Sequence, residues 1–420
     1  MKIISINNSE QFLKKIGTKN SSKNQKIVES ILKDVKKNGD AALKKYEKKF
    51  GSNISTFKVS KHEIRDAYSK VTKEDISAIN LAKSRLSKAE SVVRRQFKDI
   101  SLKFDGTKIS KSFVAIDSVG CYVPGGEARY PSSAIMSVIP AKIVGVKRIV
   151  VVSPPNSTGN IDPLTIVAAD ICGATEIYKT GGAQSIAALA YGTRSIKKVD
   201  KIVGPGGAFV TLAKYLASNT VSIDMMAGPT ELGIVIDSEA DTDVAALDLI
   251  SQAEHSSDTF CYVLTTSNSI AKKIQSSVNS KLKDIQRADI VKSSLESNGF
   301  IGVSKASNII EIANDLAPEH LEIISKNPKK WIKIKNPGLI LYGKNSPSSA
   351  SDYLLGSNHI LPTNGFGKTR GSLSVLDFVK LLTKIETSRK DLQKISKSMK
   401  NLTLAEGLPN HYEAVRGRIK

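Results

Sequence analysis

The sequence has few cysteines, few aromatic residues and no long run of apolar residues. Its three cysteines, Cys121, Cys172 and Cys261, are odd in number, far apart and set in apolar stretches. These features argue against a disulfide framework and a cysteine-based metal site, so we interpret them as reduced core residues. No window approaches the roughly 18 unbroken apolar residues of a membrane-spanning helix, and residues 1–15 lack the apolar block of a signal peptide. We therefore expect a cytoplasmic protein with no membrane partner.

The chain is strongly basic, with 62 Lys and Arg residues, 40 Asp and Glu residues and a formal net charge of +22. Clustered basic residues neutralise phosphates, so a nucleic-acid-binding protein is one interpretation. The lysines, however, are spread in ones and twos over predicted helix surfaces, and aromatic residues make up only 5% of the chain. No base-stacking motif is present. The pattern favours a solvated basic surface and no nucleic-acid partner.

The middle of the chain alternates short β-branched runs with longer helical patterns. Between residues 119 and 236, the runs RIVVVSPP, EIYKTGG and KIVGPGG predict parallel strands joined by crossover helices. A second α/β stretch follows, with ELGIVIDS, FCYVLTT, FIGVS and GLILYG. We predict an α/β fold with two doubly wound, incomplete Rossmann-like parallel-sheet domains. Helical extensions are predicted over the first hundred residues and beyond about Asp377, where LDFVKLLTKIE has helical spacing.

Histidine is scarce, with five in the chain. His62 lies in a charged helical stretch and is interpreted as a surface residue. Gln252 and His255 are three residues apart at the end of a helical pattern, so their side chains leave the same face and can bind one ion. A solvated helix end is the alternative interpretation of this pair.

Glu319 and His320 are candidate acid–base residues. They follow the helix-breaking Pro318 and precede an apolar run. A histidine near its unperturbed pKa of about 6.5 both accepts and donates protons at neutral pH, and a neighbouring carboxylate can activate water. An exposed loop pair is the alternative interpretation.

Three further polar residues stand out near the C-terminus. Asp352 and His359 lie in SASDYLLGSNHILPT, and His411 lies in EGLPNHYEAV. Together with Gln252 and His255, Asp352 and His411 supply nitrogen and oxygen ligands that suit zinc or a similar divalent ion. The sequence leaves their convergence open, because Asp352 and His411 also suit ordinary early-helix positions.

Two glycine-rich segments are candidates for binding phosphate groups. GPGGAF, residues 204–209, has the first two glycines of the dinucleotide-binding fingerprint but Phe209 in the third position. A nicotinamide cofactor therefore does not follow from this motif alone. YVPGGEARYPSS is either a phosphate-cradling loop or a turn before an apolar helix.

Taken together, these segments resemble histidinol dehydrogenases from about Ser21 to Arg418. The matching pieces, in the family's order, are GCYVPGGEARYPSS, GGAQSIAALAYGT, KVDKIVGPGGAFVTLAK, IDMMAGPTE, DLISQAEH, LAPEHLE, SASDYLLGSNHILPT and AEGLPNHYEAV. The resemblance implies an NAD-linked, four-electron oxidation of L-histidinol to L-histidine through L-histidinal, the last step of histidine biosynthesis. It also implies a homodimer with one Zn²⁺ ion per subunit.

The resemblance implies a role for each matched residue. It implies that Glu319 activates water and that His320 exchanges the proton of the substrate hydroxyl. The implied zinc ligands are Gln252, His255, Asp352 and His411. The implied substrate contacts are these four ligands together with Thr230, His320, His359 and Glu406. The implied cofactor contacts are Tyr122, Gln184 and Gly207.

Two positions depart from the family's pattern. Gly207 stands where asparagine is common, which removes an amide contact to the cofactor. Thr230 stands where serine is common, which keeps the hydroxyl and adds a methyl group. By resemblance, the tail that carries Glu406 and His411 is expected to complete the active site of the partner subunit.

Pattern and resemblance together divide the chain into four segments. Residues 1–20 are predicted to be an N-terminal segment, and residues 21–118 with 235–376 a discontinuous α/β domain that carries most metal and catalytic residues. Residues 119–234 are predicted to be a cofactor-associated α/β domain, and residues 377–420 a helical dimerisation tail.

Two other functions remain open at this point. One is the oxidation of another polar alcohol, such as a sulfonated diol, on the same scaffold. The presence of His359 and Glu406 favours histidinol over such a substrate. The other is a non-catalytic binding protein, against which the intact Glu319 and His320 weigh. The native metal is also open, because zinc, manganese and cobalt share such ligands.

Overall fold

The structure is a computed structural model that describes residues 1–16, 23–125, 129–226, 228–237 and 241–420. Some predicted features lie partly outside these ranges. They are the start of the resemblance at Ser21, residues 126–128 of the YVPGGEARYPSS loop, and residue 227 of IDMMAGPTE. Within the described ranges, no helix is both long and apolar enough to cross a membrane.

The described part of the chain alternates helices and strands. The helices are α1 (Ser9–Ile16), α2 (Lys23–Asn38), α3 (Asp40–Lys49), α4 (Lys61–Ser69), α5 (Lys73–Arg94), α6 (Pro131–Val144), α7 (Pro163–Cys172), α8 (Gly182–Tyr191), α9 (Ala208–Ala217), α10 (Thr242–Ala253), α11 (Asn268–Lys281), α12 (Ala288–Ser297), α13 (Ala306–Leu316), α14 (Ser348–Ser351), α15 (Arg389–Ala405) and α16 (Pro409–Ile419). The strands are β1 (Lys2–Ser5), β2 (Ile100–Phe104), β3 (Thr107–Ala115), β4 (Ser118–Tyr122), β5 (Arg148–Ser153), β6 (Glu176–Lys179), β7 (Lys201–Val203), β8 (Ser222–Ile223), β9 (Glu231–Ile236), β10 (Phe260–Thr265), β11 (Phe300–Val303), β12 (His320–Ile324), β13 (Leu339–Tyr342) and β14 (Val379–Thr387).

A five-stranded parallel sheet has the order β6-β5-β4-β7-β8. Its interior strand β5 is the apolar run RIVVVS because both of its faces are buried. Ile149 and Val151 pack with α6 and α7, whereas Val150 and Val152 pack with α8 and α9. Helices therefore cover both faces, and the predicted doubly wound α/β fold is confirmed.

A six-stranded parallel sheet has the order β1-β11-β10-β9-β12-β13. Strands β9 and β10 are apolar over most of their length, and α10, α11 and α12 pack on one side of them. Helix α13 and the fully buried Trp331 pack on the other side. The residues predicted as an N-terminal segment contribute β1, which extends this sheet at its edge beside β11.

The N-terminal helices surround the five-stranded sheet. Helices α2 and α3 pack against α8, and α4 and α5 pack against α7. Residues such as Leu43 and Leu86 are fully buried in these contacts. The helical nature predicted for most of the first hundred residues is confirmed. Their packing, however, differs from the predicted grouping of residues 21–118 with residues 235–376.

A separate antiparallel sheet has the order β14-β3-β2. Strand β14 pairs with β3 along nine residues, from Val379 opposite Ala115 to Thr387 opposite Thr107. The helix predicted from LDFVKLLTKIE is therefore wrong over residues 379–387. The stretch also alternates β-branched residues, and a long partner strand satisfies its backbone, so pairing overrides the helical spacing. Helices α15 and α16 follow, as predicted for the rest of the tail.

A buried ion pair fixes the loop that contains GPGG. The side chains of Lys214 on α9 and Asp224 after β8 are almost fully buried and in contact. Lys214 Nζ donates to the carbonyl oxygen of Gly204 (2.9 Å), and Gly204 N donates to Asp224 Oδ2 (2.8 Å). Gly204 has a φ of 116°, and a Cβ atom there would overlap the carbonyl oxygen of Tyr122. The loop thus has one conformation, set by two buried charges.

We expect Lys214→Met to lower the free energy of unfolding by about 3 to 5 kcal/mol, because Asp224 would be left charged and unpaired in the core. Urea titration of the purified protein measures this loss. Lys272→Met on the exposed face of α11 is the matched control and should change stability by no more than about 0.5 kcal/mol. Equal stabilities for the two variants would contradict the assignment.

Candidate active site

The pairing of β9 with β12 brings the candidate catalytic residues together. His320 is the first residue of β12 and lies opposite Leu232 in the parallel register. Glu319 and Thr230 immediately precede the two strands, so both lie at the same end of the sheet. This end is the amino-terminal end of β9 and β12.

Helix α10 brings two of the predicted ligands to this end. As a crossover helix it runs back against the direction of β9, so its C-terminal end returns to the amino-terminal end of the strands. Gln252 lies in its last turn and is buried, and His255 follows the helix and is exposed. The predicted placement of this pair at a helix end agrees with the structure.

Asp352 connects the histidines of the cluster. It follows the short helix α14, and its Oδ1 lies 3.0 Å from His320 Nε2. Its backbone oxygen lies 2.8 Å from His359 Nδ1, and its carboxylate also interacts electrostatically with His255. The structure therefore brings His255, His320, Asp352 and His359 into one cluster.

The cluster also contacts the five-stranded sheet through α6. His359 Nε2 lies 3.5 Å from Ser133 Oγ, and Asn358 Nδ2 donates to the carbonyl oxygen of Met136 at 2.8 Å. Ser133 and Met136 both lie on the buried N-terminal half of α6. The candidate site at the six-stranded sheet thus also contacts α6, a helix that packs on the five-stranded sheet.

Burial and neighbouring charges shift the pKa values of the two acid–base candidates. Burial alone would lower the pKa of His320, but the hydrogen bond and charge of Asp352 outweigh it and raise the pKa to about 9. Burial raises the pKa of Glu319 to about 8, against the opposing charge of His320. Glu319 is therefore a stronger base than an exposed glutamate, which suits a group that accepts a proton near neutral pH.

The donor chemistry of the cluster fits a divalent ion. Gln252, His255 and Asp352 offer an amide oxygen, an imidazole nitrogen and a carboxylate, which are ligands suited to zinc. Within the described residues, no three His, Cys, Asp or Glu side chains are close enough to hold a metal by themselves. The Nδ1 atom of His320 is buried and has no hydrogen-bond partner. His255 and Asp352 are thus an incomplete ligand set, with Gln252 one turn earlier along α10 and an unpaired buried atom on His320.

Two predicted residues lie apart from the cluster. Glu406 and His411, at and after the end of α15, are both exposed. Helix α16, which carries His411, packs against α15. Among the described residues, no hydrogen bond or ion pair joins His411 to Gln252, His255 or Asp352. The fold of one chain therefore brings His255 and Asp352 into one cluster, places Gln252 in the last turn of α10 before His255, and leaves His411 outside the cluster.

The three predicted cofactor residues lie near the carboxyl ends of strands in the five-stranded sheet. Tyr122 ends β4, Gln184 lies in the first turn of α8 after β6, and Gly207 precedes α9 after β7. The carboxyl ends of strands are the usual place for dinucleotides in doubly wound sheets. A Cβ atom at Gly207 would meet no atom within 4 Å, so this position has open space.

Glu47 on α3 is a buried carboxylate among these residues, and sequence reasoning missed it. Its Oε1 atom accepts hydrogen bonds from Thr180 Oγ1 (2.7 Å), Gly181 N (3.2 Å) and Gln184 Nε2 (3.0 Å). The Oε1 atom of Gln184 is then left buried without a partner. Glu47 thus fixes the orientation of the Gln184 amide and leaves the Oε1 atom of Gln184 free to accept a hydrogen bond.

Two further buried acids, which sequence reasoning also missed, connect three elements of the cluster. The carboxyl groups of Asp248 on α10 and Glu322 on β12 are hydrogen-bonded to each other. Glu322 Oε1 also accepts from the backbone N of Ser348, the first residue of α14, at 2.6 Å. Asp248 is one helical turn before Gln252, and Glu322 is two residues after His320 on the same strand. The signal in the sequence was an acid inside an apolar strand, HLEII.

The comparisons with known proteins agree along almost the whole chain. A family model described as histidinol dehydrogenase matches residues 14–419. The chain is 43% identical to a histidinol dehydrogenase of Methanocaldococcus jannaschii over 395 residues, covering 94% of this chain and 92% of that protein. It is 40% identical to the Bacillus subtilis histidinol dehydrogenase over 424 residues, covering 100% and 99%. The crystal structure of histidinol dehydrogenase from Elizabethkingia anophelis matches with a TM-score of 0.93 at 34% identity, covering 100% of this chain and 98% of that one.

The pair of Asp248 and Glu322 predicts a pH-dependent contribution to stability. Burial raises the pKa of Glu322 from its ordinary 4.5 to about 8. The folded protein therefore holds a proton that the unfolded chain loses, and the stability that this proton provides is lost as pH rises between these values. Glu322→Gln is neutral throughout, and its amide can still accept from Ser348 N and donate to Asp248. The free energy of unfolding of the variant minus that of the parent should be larger at pH 8 than at pH 5 by at least about 1 kcal/mol.

Urea unfolding at the two pH values measures this difference. Glu296→Gln, on the exposed surface of α12, is the matched control and should show the pH dependence of the parent. The same pH dependence in Glu322→Gln as in the parent would mean that the buried pair does not hold the proton.

Proposed function

The chain belongs to the histidinol dehydrogenase family of NAD-linked oxidoreductases, and from this we propose how its residues oxidise L-histidinol to L-histidine. The observation that carries the proposal is the cluster of Glu319, His320 and Asp352 at the amino-terminal end of β9 and β12. This cluster combines two acid–base groups with the donors for a divalent ion, as the family's reaction requires.

The reaction takes four electrons from one carbon in two oxidations. In the first, the primary alcohol loses a proton from oxygen and a hydride from carbon to NAD, which yields the aldehyde, NADH and a proton. Water then adds to the aldehyde to form a hydrate. In the second oxidation, the hydrate loses a hydride to a second NAD and protons from oxygen, which yields the carboxylate of histidine.

His320 is proposed to exchange the hydroxyl proton of the substrate, and it accepts that proton in its neutral form, which is the minor form below its pKa of about 9. Asp352 holds its Nε2 atom at 3.0 Å, which fixes the orientation of the ring. The Nδ1 atom has no partner among the described residues, so a substrate hydroxyl can supply one. The buried ring is thus positioned to pass a proton to or from the substrate oxygen.

Glu319 is proposed to activate the water that adds to the aldehyde. It precedes His320 in the chain, and its Oε2 lies 4.0 Å from His320 Nδ1. The pKa of about 8 that burial gives its carboxyl makes it a suitable base for water near neutral pH. The two residues can therefore act on the same carbon in successive steps.

Gln252, His255, Asp352 and His411 are proposed to hold one Zn²⁺ ion. When bound, the ion supplies a fixed point for the imidazole and amine of the substrate, which orients the reacting carbon. Thr230, His359 and Glu406 are proposed to contact the substrate as well. Thr230 immediately precedes β9 as Glu319 precedes β12, so both lie at the same end of the sheet, and His359 contacts Asp352; these positions support the proposed contacts.

Tyr122, Gln184 and Gly207 are proposed to contact NAD. Tyr122 Oη accepts from Gly182 N at 3.3 Å, in the first turn of α8, where backbone donors point toward an anionic ligand. The free acceptor oxygen of Gln184, held in place by Glu47, supports its role. Gly207 offers no side-chain amide, so this contact is reduced to the backbone.

A homodimer with shared active sites is proposed, in the cytoplasm. The exposed positions of Glu406 and His411 support it, because a second copy is needed to bring them to the cluster. The arm formed by β2, β14, α15 and α16 also exposes a large apolar surface, as expected of a subunit interface. Its exposed apolar residues include Ile100, Leu102, Phe104, Leu381, Ile385, Leu402, Leu404 and Leu408.

We expect purified protein with zinc and NAD to form two molecules of NADH per L-histidinol consumed. His320→Ala should reduce this rate by at least about a hundredfold, because the proton acceptor is removed. Absorbance at 340 nm follows NADH, and chromatography counts histidinol and histidine. His62→Ala, an exposed histidine on α4, is the control and should retain full activity. No NADH from folded, zinc-loaded dimer would reject the histidinol assignment.

Shared sites predict that two inactive variants restore each other. In a hybrid of His255→Ala and His411→Ala subunits, one site receives both intact histidines if His411 comes from the partner. Random mixing should then give about a quarter of the parental activity, because half the dimers are hybrids with one intact site each. Refolding a denatured mixture and assaying NADH formation measures this.

The control mixture is His255→Ala with Gln252→Ala. Both residues lie on the α10 segment of the same subunit, so every hybrid site keeps a defect and no activity should return. If the first mixture also stays inactive while both variants form dimers, His411 acts within its own chain.

A further inference from the structure

Glu231 is a buried carboxylate for which the resemblance implies no role. It is the first residue of β9, only 8% exposed, and the other five residues of that strand are apolar or glycine. The register of β9 and β12 pairs Leu232 with His320, which places Glu231 beside Glu319. A buried acid at this point needs hydrogen-bond donors around it.

Glu231 and Glu319 bind each other's backbone. Glu231 Oε2 accepts from Glu319 N at 3.2 Å, and Glu319 Oε2 accepts from Glu231 N at 3.1 Å. The second oxygen of Glu231, Oε1, accepts from Asn364 N at 3.0 Å. Both oxygens of Glu231 are thus used, and one oxygen of Glu319 is fixed by this exchange.

We propose that Glu231 is a positioning residue for Glu319, an inference that rests on the proposed function of Glu319. The carboxylate of Glu231 holds the backbone of Glu319 and the loop at Asn364 at fixed distances. The backbone of Glu231 in turn holds Glu319 Oε2, so the carboxyl of the base has one orientation. The two backbone donors meet different oxygens of Glu231, so a glutamine in the same position would place its NH₂ group against one of them.

This role affects one of the two oxidations. Glu319 is proposed to act when water adds to the aldehyde, whereas the exchange of a hydride between alcohol and aldehyde uses His320. His320 is held independently, by its pairing with Leu232 and Leu339 and by Asp352. Loss of Glu231 should therefore slow the oxidation of the aldehyde and spare its reduction.

The test uses L-histidinal in both directions with full-length, zinc-loaded Glu231→Gln protein. With NAD the aldehyde is hydrated and oxidised to histidine, and with NADH it is reduced to histidinol without addition of water. We expect kcat for oxidation to fall at least about tenfold, which corresponds to about 1.4 kcal/mol. The kcat for reduction and the KM for histidinal in that direction should change less than about twofold.

Glu90→Gln is the matched control. Glu90 is also a buried glutamate, and its Oε2 accepts a backbone hydrogen bond from Val375 at 2.7 Å. The same substitution there removes a carboxylate of the same kind in a segment without catalytic candidates. It should leave the ratio of oxidation to reduction unchanged.

Equal losses in both directions, or no loss in either, would overturn the proposal and leave Glu231 a purely structural residue. If Glu231→Gln does not fold, Glu231→Asp replaces it, because the shorter side chain keeps the charge but does not reach both donors. The selective loss of oxidation is expected there too. A parent protein that converts histidinal in neither direction would reject the proposed function itself, which is a different outcome.

Discussion

The parallel pairing of β9 with β12 is the constraint on which the active site depends. It sets Glu231 beside Glu319 and Leu232 beside His320, and α10 and α14 pack against the same strands. The hydrogen-bonded carboxyl groups of Asp248 and Glu322 connect the elements that carry Gln252, His320 and Asp352. A shift of one residue in this register would turn His320 to the opposite face of the sheet.

The two parallel sheets present opposite ends to the reaction. The cofactor candidates lie at the carboxyl ends of the five-stranded sheet, where helix N-termini offer backbone donors. The acid–base residues lie at the amino-terminal ends of β9 and β12, where His255 and Gln252 arrive from the C-terminal end of α10. Contacts of residues 358–359 with α6 connect the two regions.

Periodicity was sufficient to predict much of the fold. Apolar runs such as RIVVVS predicted buried parallel strands because both faces of these strands are covered. The stretch 379–387 misled, because its apolar spacing suits a helix and only the distant β3 decides for a strand. The packing of residues 23–94 likewise depends on contacts with helices far along the chain, which no local pattern reports.

The candidate site was predictable where the chemistry is unusual and local. Gln252 with His255, and Glu319 with His320, stand out by spacing and setting. Glu47, Glu231 and Glu322 carry no comparable signal in the sequence, since each is a single acid in a stretch with an ordinary helix or strand pattern. Their importance comes from what burial does to a carboxylate, and burial is a property of the whole fold.

The edge position of β1 bears on how the chain folds during synthesis. The strands of the five-stranded sheet and the helices that cover it come from residues 23–223, with Ile360, Leu373 and Phe378 completing part of the core. Most of this unit can therefore form before the rest of the chain is made. Strand β1 pairs only with β11 among the described strands, and β11 lies nearly 300 residues later. It therefore stays without its partner until β11 has been made, and until then it must avoid other exposed strand edges.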